Sequence, residues 1–183
     1  FLFQHPFENR DASGKAMSYF NKTTIGEPFK EDGVSSVAAF RQYSDKRING
    51  SIIFYKKPNC PVDLGEGEMK VDISSGGTVD KASEERKCEQ ETGQKCEITV
   101  CEVHLNNVVA GYTTLEKTGL EKWGSIEIGA EASLLLSTEE DVKKAYSVLY
   151  SGRQCISNLA TTSIYKKGQY QAIRAAWFPL RVR

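Results

Sequence analysis

The five cysteines are the residues of this 183-residue chain whose spacing points most clearly to chemistry. Four of them fall between residues 60 and 101, and Cys155 stands alone. In a secreted chain this spacing predicts two disulfides within the cluster, in any of three connectivities, and leaves Cys155 as a free thiol. The candidate disulfide cysteines are Cys60, Cys88, Cys96 and Cys101.

Two other uses of the cysteine cluster stay open. The thiols could be reduced and purely structural, or they could hold zinc, with His104 as a further ligand. Structural zinc sites favour cysteines separated by about two to four residues, and only Cys96 and Cys101 approach that spacing. We therefore expect disulfides and no metal site.

Asn21 and Asn49 each begin an Asn-X-Ser/Thr triplet and are candidate sites of N-linked glycosylation. Lys46 and Arg47 form a dibasic pair of the kind that processing proteases cleave. The chain begins at Phe1 without a basic and apolar leader, which fits either a signal peptide that has been removed or a cytosolic protein; the lack of an initial methionine favours removal. Because disulfides persist in oxidising compartments, we expect a secreted, extracellular protein.

Residues that could carry catalysis are few. The chain has two histidines, His5 and His104, and neither lies in a metalloprotease motif. The stretch 119–125 has the glycine spacing of a phosphate-binding loop but lacks the lysine that contacts the phosphates. We therefore predict no catalytic residue, no cofactor and no enzymatic activity. The enzymatic alternative is a pair of carboxylates from residues 61–102 that act as acid and base.

Charge is balanced overall but divided along the chain. The 24 basic and 24 acidic residues cancel, which argues against a dedicated nucleic-acid binder. Residues 61–102 hold 11 acidic and five basic residues, whereas residues 142–183 hold eight basic residues and no acidic one. No apolar run approaches the ~20 residues of a membrane helix, so we expect no membrane span.

The elements that must position these residues differ between the two halves of the chain. Helical spacing predicts short helices over residues 12–20 and 34–43. Residues 51–57 are rich in β-branched and aromatic types and predict a strand, as do residues 69–73. Residues 74–95 are polar and contain glycine, which is typical of a loop.

The second half is rich in predicted strands. Residues 125–136 alternate apolar and polar types, as a half-buried antiparallel strand requires. The remaining predicted strands, the last two forming a hairpin, cover 108–115, 145–151, 156–165 and 169–178. We expect a mostly-β fold: an α+β N-terminal domain over 1–90, and an antiparallel β-sandwich over 91–183.

The cysteine-containing mixed N-terminal part and the β-rich C-terminal part together resemble secreted effectors of plant-pathogenic fungi. As an architecture the chain is similar to the dual-domain group of the Fusarium secreted-in-xylem avirulence proteins. The resemblance is carried by the four clustered cysteines and by the strand-rich run 108–182, notably SIEIGAEASLLL and TTSIYKKGQYQAIRAAWF. The chain departs from this resemblance in having five cysteines rather than a larger, even number.

The resemblance implies a protein whose pro-segment is removed by a dibasic protease and which acts in host colonisation. Its implied partner is a host plant protein or a plant immune receptor that recognises it. We expect a monomer without a nucleic-acid partner, and uptake into host cells is one option for its location. The alternative is a carbohydrate-binding or adhesive β-sandwich module that uses Trp123 or Tyr112.

Overall fold

The computed structural model describes residues 2–3, 36–37, 47–137, 147–162, 164–165 and 174–179. The elements with defined bounds in these ranges are one α-helix, eleven strands and two single turns of 3-10 helix, at Glu116–Thr118 and Leu159–Thr161. Ile164 and Tyr165, within the strand predicted over 156–165, are also helical. In chain order the elements are β1 (Leu2–Phe3), β2 (Ser36–Val37), β3 (Ser51–Tyr55), β4 (Glu68–Ser74), α1 (Lys81–Thr92), β5 (Glu97–His104), β6 (Gly111–Thr114), β7 (Ser125–Ile128), β8 (Ala132–Ser137), β9 (Ser147–Ser151), β10 (Gln154–Ile156) and β11 (Arg174–Pro179).

The strands form two larger sheets and one short pair. The five-stranded sheet has the order β10-β7-β3-β5-β4, and the four-stranded sheet has the order β6-β11-β8-β9. Neighbouring strands are antiparallel except β4 and β5, which run parallel. β1 pairs with β2, so two residues inside the helix predicted over 34–43 are extended. That prediction is wrong at these two residues, because pairing with a distant segment overrides local helical spacing.

One hydrophobic cluster fills the space between the two larger sheets. It takes Phe54 and Ile126 from the five-stranded sheet and Leu134 and Trp177 from the four-stranded sheet. The rings of Phe54 and Trp123 pack with their centroids 4.6 Å apart. The prediction of a mostly-β fold with disulfide-stapled strands is confirmed.

Strands from both sides of residue 90 share the five-stranded sheet. β3 lies between β5 and β7, and β4 pairs with β5 over its full length. The predicted division near residue 90 therefore separates strands that hydrogen-bond to one another.

The strand predicted over residues 125–136 is two strands, β7 and β8, in different sheets. The chain turns at Gly129, whose N–H donates to the Ser51 carbonyl oxygen. A Cβ at Gly129 would lie 2.8 Å from that oxygen, so only glycine fits this corner. Apolar and polar residue types continue to alternate through the corner, so this pattern cannot reveal that the chain changes sheet there.

Helix α1 occupies part of the segment predicted as a loop. Asp80 caps its first turn by accepting from the Ser83 N–H at 3.2 Å, and Gly93 ends it in the left-handed conformation. None of its residues is buried, so the apolar periodicity that normally signals a helix is missing. The helix provides the crossover that the parallel strands β4 and β5 require.

The remaining strand predictions are partly met. β3, β4 and β9 lie within or across their predicted ranges, whereas β10 ends at Ile156, and a 3-10 turn capped by Asn158 follows. β11 pairs with β6 and β8 rather than in the predicted hairpin. The helix predicted over 12–20 lies outside the described residues. Among the described residues there is no helix with the length and apolar character of a membrane span.

Candidate functional site

The structure contains two disulfides, but it exchanges the predicted roles of two cysteines. Cys88 bonds to Cys96, and Cys60 bonds to Cys155, the residue predicted to be free. Cys101, predicted to be bonded, is a buried free thiol. Its side chain joins the hydrophobic core from the middle of β5, whereas Cys155 lies on the exposed side of β10. The predicted set of disulfide cysteines is therefore wrong at Cys101 and Cys155, because the order of strands in the sheet, and not proximity in the sequence, decides which thiols meet.

The Cys101 thiol stays protonated. Burial raises its pKa to about 12, and the carboxylates of Asp72 and Glu102 add to that effect. Because the thiolate is the reactive species, this cysteine is a packing residue of the core.

The loop over residues 58–67, between β3 and β4, is held at both ends; we call it the braced loop. At its start the Asn59 N–H donates to the Ser157 carbonyl oxygen at 2.7 Å, and the Cys60 N–H donates to Ser125 Oγ at 2.9 Å. At its end Glu68 accepts from the Gly65 N–H at 2.7 Å and pairs with Lys57 at 2.7 Å. Hydrogen bonds from Lys57 and Gly65 hold the pKa of Glu68 below its usual range.

A cleft of about 370 Å³ lies between the braced loop and the outer face of the five-stranded sheet; we call it the loop–sheet cleft. Val62 is 94% exposed and Leu64 is 43% exposed, so the loop presents apolar side chains to solvent beside the cleft. The residues that line it are Ile53, Tyr55, Pro61, Val62, Leu64, Lys70, Val100 and Glu127. Apolar residues inside a Pro- and Gly-rich loop were the available sequence signal for this surface, and the prediction missed it.

Tyr55, which lines the loop–sheet cleft, contributes a hydroxyl group with a defined hydrogen-bond partner. Its hydroxyl donates to Glu127 Oε2 at 3.0 Å. Burial, together with the Glu127 carboxylate, raises the pKa of Tyr55 above its usual range. The hydroxyl therefore remains a neutral donor at physiological pH.

Beside this cleft, β4 and β5 bring together three side chains that can bind metal; we call Asp72, Glu102 and His104 the His104 cluster. One ligand atom from each lies within 4.8 Å of the others. Lys70 forms ion pairs with both carboxylates. Burial alone would raise the pKa of Glu102, but hydrogen bonds from Lys70 and Ser51 outweigh it and lower that pKa. No metal site is predicted from the sequence, in which His104 is a candidate zinc ligand only beside the cysteine cluster.

A second cleft, of about 470 Å³, brings together carboxylates from the acidic residues 61–102 and the carboxylate of Glu121. Its lining residues are Glu66, Gly67, Glu68, Lys81, Glu85, Lys95, Cys96, Glu97 and Glu121. Lys56 pairs with Glu97 and Glu121, and Lys81 pairs with Glu121 at 3.3 Å. Hydrogen bonds from Lys56 and Lys81 lower the pKa of Glu121. General acid catalysis needs a raised carboxyl pKa, so these contacts favour an ion-pair network.

The aromatic residues proposed for carbohydrate binding have other surroundings. Trp123 is 2% exposed, and its Nε1 donates to Thr118 Oγ1 at 3.0 Å, so its ring cannot stack on a sugar. Tyr112 is partly exposed, but the Lys117 ammonium lies 4.4 Å from its ring centroid. Of the predicted glycosylation sites, Asn49 is exposed and Asn21 lies outside the described residues.

The chain matches no protein-family model, no curated protein and no solved structure. The resemblance to the secreted-in-xylem proteins stays a prediction, and it depends on the residues named above. The two disulfides are compatible with an extracellular location, because such bonds persist in oxidising compartments.

Proposed function

We propose that this chain is a secreted effector of a plant-pathogenic fungus that binds a host protein through the loop–sheet cleft, by contact rather than by catalysis. A plant immune receptor would then detect the exposed surface of the effector. The effector assignment depends on the sequence resemblance. The binding surface is supported by one observation: Val62 is almost fully exposed on a loop that is fixed at both ends beside an apolar cleft.

An exposed apolar side chain on a fixed loop favours association for two reasons. Covering a valine side chain stabilises a complex by about 1.5–3 kcal/mol, which makes Val62 a suitable anchor. A loop that is already held by a disulfide and by hydrogen bonds loses little conformational entropy on binding. Both effects act at the same surface.

The charges around the loop–sheet cleft indicate what kind of partner fits. Asp63 and Glu66 are exposed on the braced loop, and Glu127 lines the cleft. The ammonium of Lys70, the basic lining residue, is paired with Asp72 and Glu102. Electrostatic complementarity therefore favours a host protein that presents an apolar side chain flanked by lysine or arginine.

Site-specific cross-linking tests this proposal. A photoreactive amino acid replaces Val62 in one variant and Val109, on the segment before β6, in a second variant. Each variant is irradiated in xylem sap and apoplastic fluid from a susceptible plant. We expect a discrete plant protein to be cross-linked at position 62 and not at position 109. Identical cross-linking from both positions, or none at position 62, would contradict the proposal.

The recognition half of the proposal has a separate test. The chain is co-expressed with candidate immune receptors in a panel of plant lines. We expect cell death in at least one receptor line and none in lines that lack that receptor. The absence of cell death in every line would count against recognition but not against binding.

A further inference from the structure

We infer that Asp72, Glu102 and His104 form a binding site for a divalent transition-metal ion, for which zinc is the natural probe. The inference does not depend on the proposed function. It depends on the position of three side chains on two adjacent strands. It also depends on the ammonium of Lys70, which already pairs with the same two carboxylates.

The strand register places the three ligands together. In the parallel pair of β4 and β5, Asp72 lies opposite Glu102, and His104 lies two pairs further along, opposite Ser74. His104 Nε2 is 3.4 Å from Asp72 Oδ1, and His104 Nδ1 is 3.9 Å from Glu102 Oε1. These distances use different ring nitrogens, and one ion binds only one of them; with a single atom from each residue, the three ligand atoms lie within 4.8 Å of one another. Metal–ligand bonds of about 2.0–2.2 Å separate neighbouring ligand atoms by about 3–4 Å, so a small rotation of the His104 and Asp72 side chains would complete the site.

The ligand set favours particular metals. One imidazole and two carboxylates suit zinc and neighbouring transition metals, whereas magnesium and calcium prefer oxygen ligands alone. The Glu102 side chain is 14% exposed, whereas those of His104 and Asp72 are 42% and 56% exposed. The site is therefore open to solvent on one side, where water completes the coordination.

Lys70 shows that this position holds positive charge. Its ammonium contacts Glu102 and lies 3.4 Å from Asp72 Oδ1. A doubly charged ion on the same carboxylates would displace the ammonium. Lys70 also lines the loop–sheet cleft, so metal binding would release its charge toward that cleft.

Zinc titration of the oxidised, full-length chain tests the site. Calorimetry with zinc chloride compares wild type with His104→Ala, Lys70→Met and the control His5→Ala. His5→Ala is the matched control because His5 is the chain's other histidine. We expect one zinc ion per wild-type chain, unchanged binding by His5→Ala and at least about tenfold weaker binding by His104→Ala. Lys70→Met should bind zinc more tightly, because it removes the competing ammonium.

A measurement that needs no variant of the proposed ligands guards against a variant that fails to fold. In proton NMR spectra zinc should shift the imidazole resonances of His104, assigned by comparison with His5→Ala. Absence of saturable binding, equal binding by His104→Ala and wild type, or unshifted His104 resonances at saturation would overturn the inference.

Discussion

Cys60, in the braced loop after β3, is joined by a disulfide to Cys155 in β10, and β7 lies between these two strands in the sheet. The bond therefore spans the end of the five-stranded sheet and fixes the base of the loop that presents Val62. Its two cysteines are separated by 95 residues, so it also closes a large part of the chain.

The two disulfides should contribute unequally to stability. In the chain-entropy description, a bond across 95 residues stabilises the fold by about 4–5 kcal/mol and one across 8 residues by about 2–3 kcal/mol. We expect Cys60→Ser/Cys155→Ser to lower the free energy of unfolding more than Cys88→Ser/Cys96→Ser. Equilibrium urea denaturation of both double variants measures the difference. Equal losses, or the reverse order, would contradict this ranking.

Cys101 should not react in the folded protein. Burial raises the pKa of this thiol to about 12, and the thiolate is the form that attacks an alkylating reagent. We expect mass spectrometry to find no iodoacetamide adduct on native protein at pH 8 and one adduct per chain after unfolding in urea. Cys101→Ala, as control, should gain none in either state. Fast labelling of the native chain at Cys101 would show that the thiol is accessible.

Glu68 should contribute to loss of stability in acid. Its pKa in the folded protein is lowered by hydrogen bonds from Lys57 and Gly65, so the unfolded chain binds a proton more readily. The stabilisation is therefore complete above the ordinary glutamate pKa and is lost as pH falls through the lowered value. Between neutral and strongly acidic pH, we expect the free energy of unfolding to fall less for Glu68→Gln than for wild type. Glu66→Gln, at an exposed neighbouring position, serves as control. If the free energy of unfolding of Glu68→Gln depended on pH as that of wild type does, the contact of Glu68 with Lys57 would make no contribution to stability.

Local sequence patterns predicted those elements whose conformation follows from their own residue types. β3 and β4 were found because their β-branched and aromatic residues fit a half-buried strand. Helix α1 was missed because none of its residues is buried, although Asp80 and Gly93 mark its two ends. The corner at Gly129 was missed because alternation of side chains continues through it.

The candidate site depended on relations between distant parts of the chain. The His104 cluster exists because β4 and β5 pair in one parallel register, and no spacing in the sequence specifies that register. Likewise, the partner of Cys60 depends on β10 lying beside β7. Val62 and Leu64 were visible in the sequence as apolar loop residues, but their role depends on the cleft beside them.

The affinity of the cross-linked plant protein for Val62 variants tests the central claim most directly. The dissociation constant of the purified partner is measured for wild type, Val62→Asp and the control Val109→Asp, after circular dichroism confirms that each variant is folded. Because Val62 is 94% exposed, its replacement should leave the melting temperature unchanged. We expect Val62→Asp to weaken binding at least about tenfold, equivalent to ~1.4 kcal/mol, and Val109→Asp to bind like wild type. Binding of Val62→Asp as tightly as wild type would contradict the claim that the loop–sheet cleft is the contact surface.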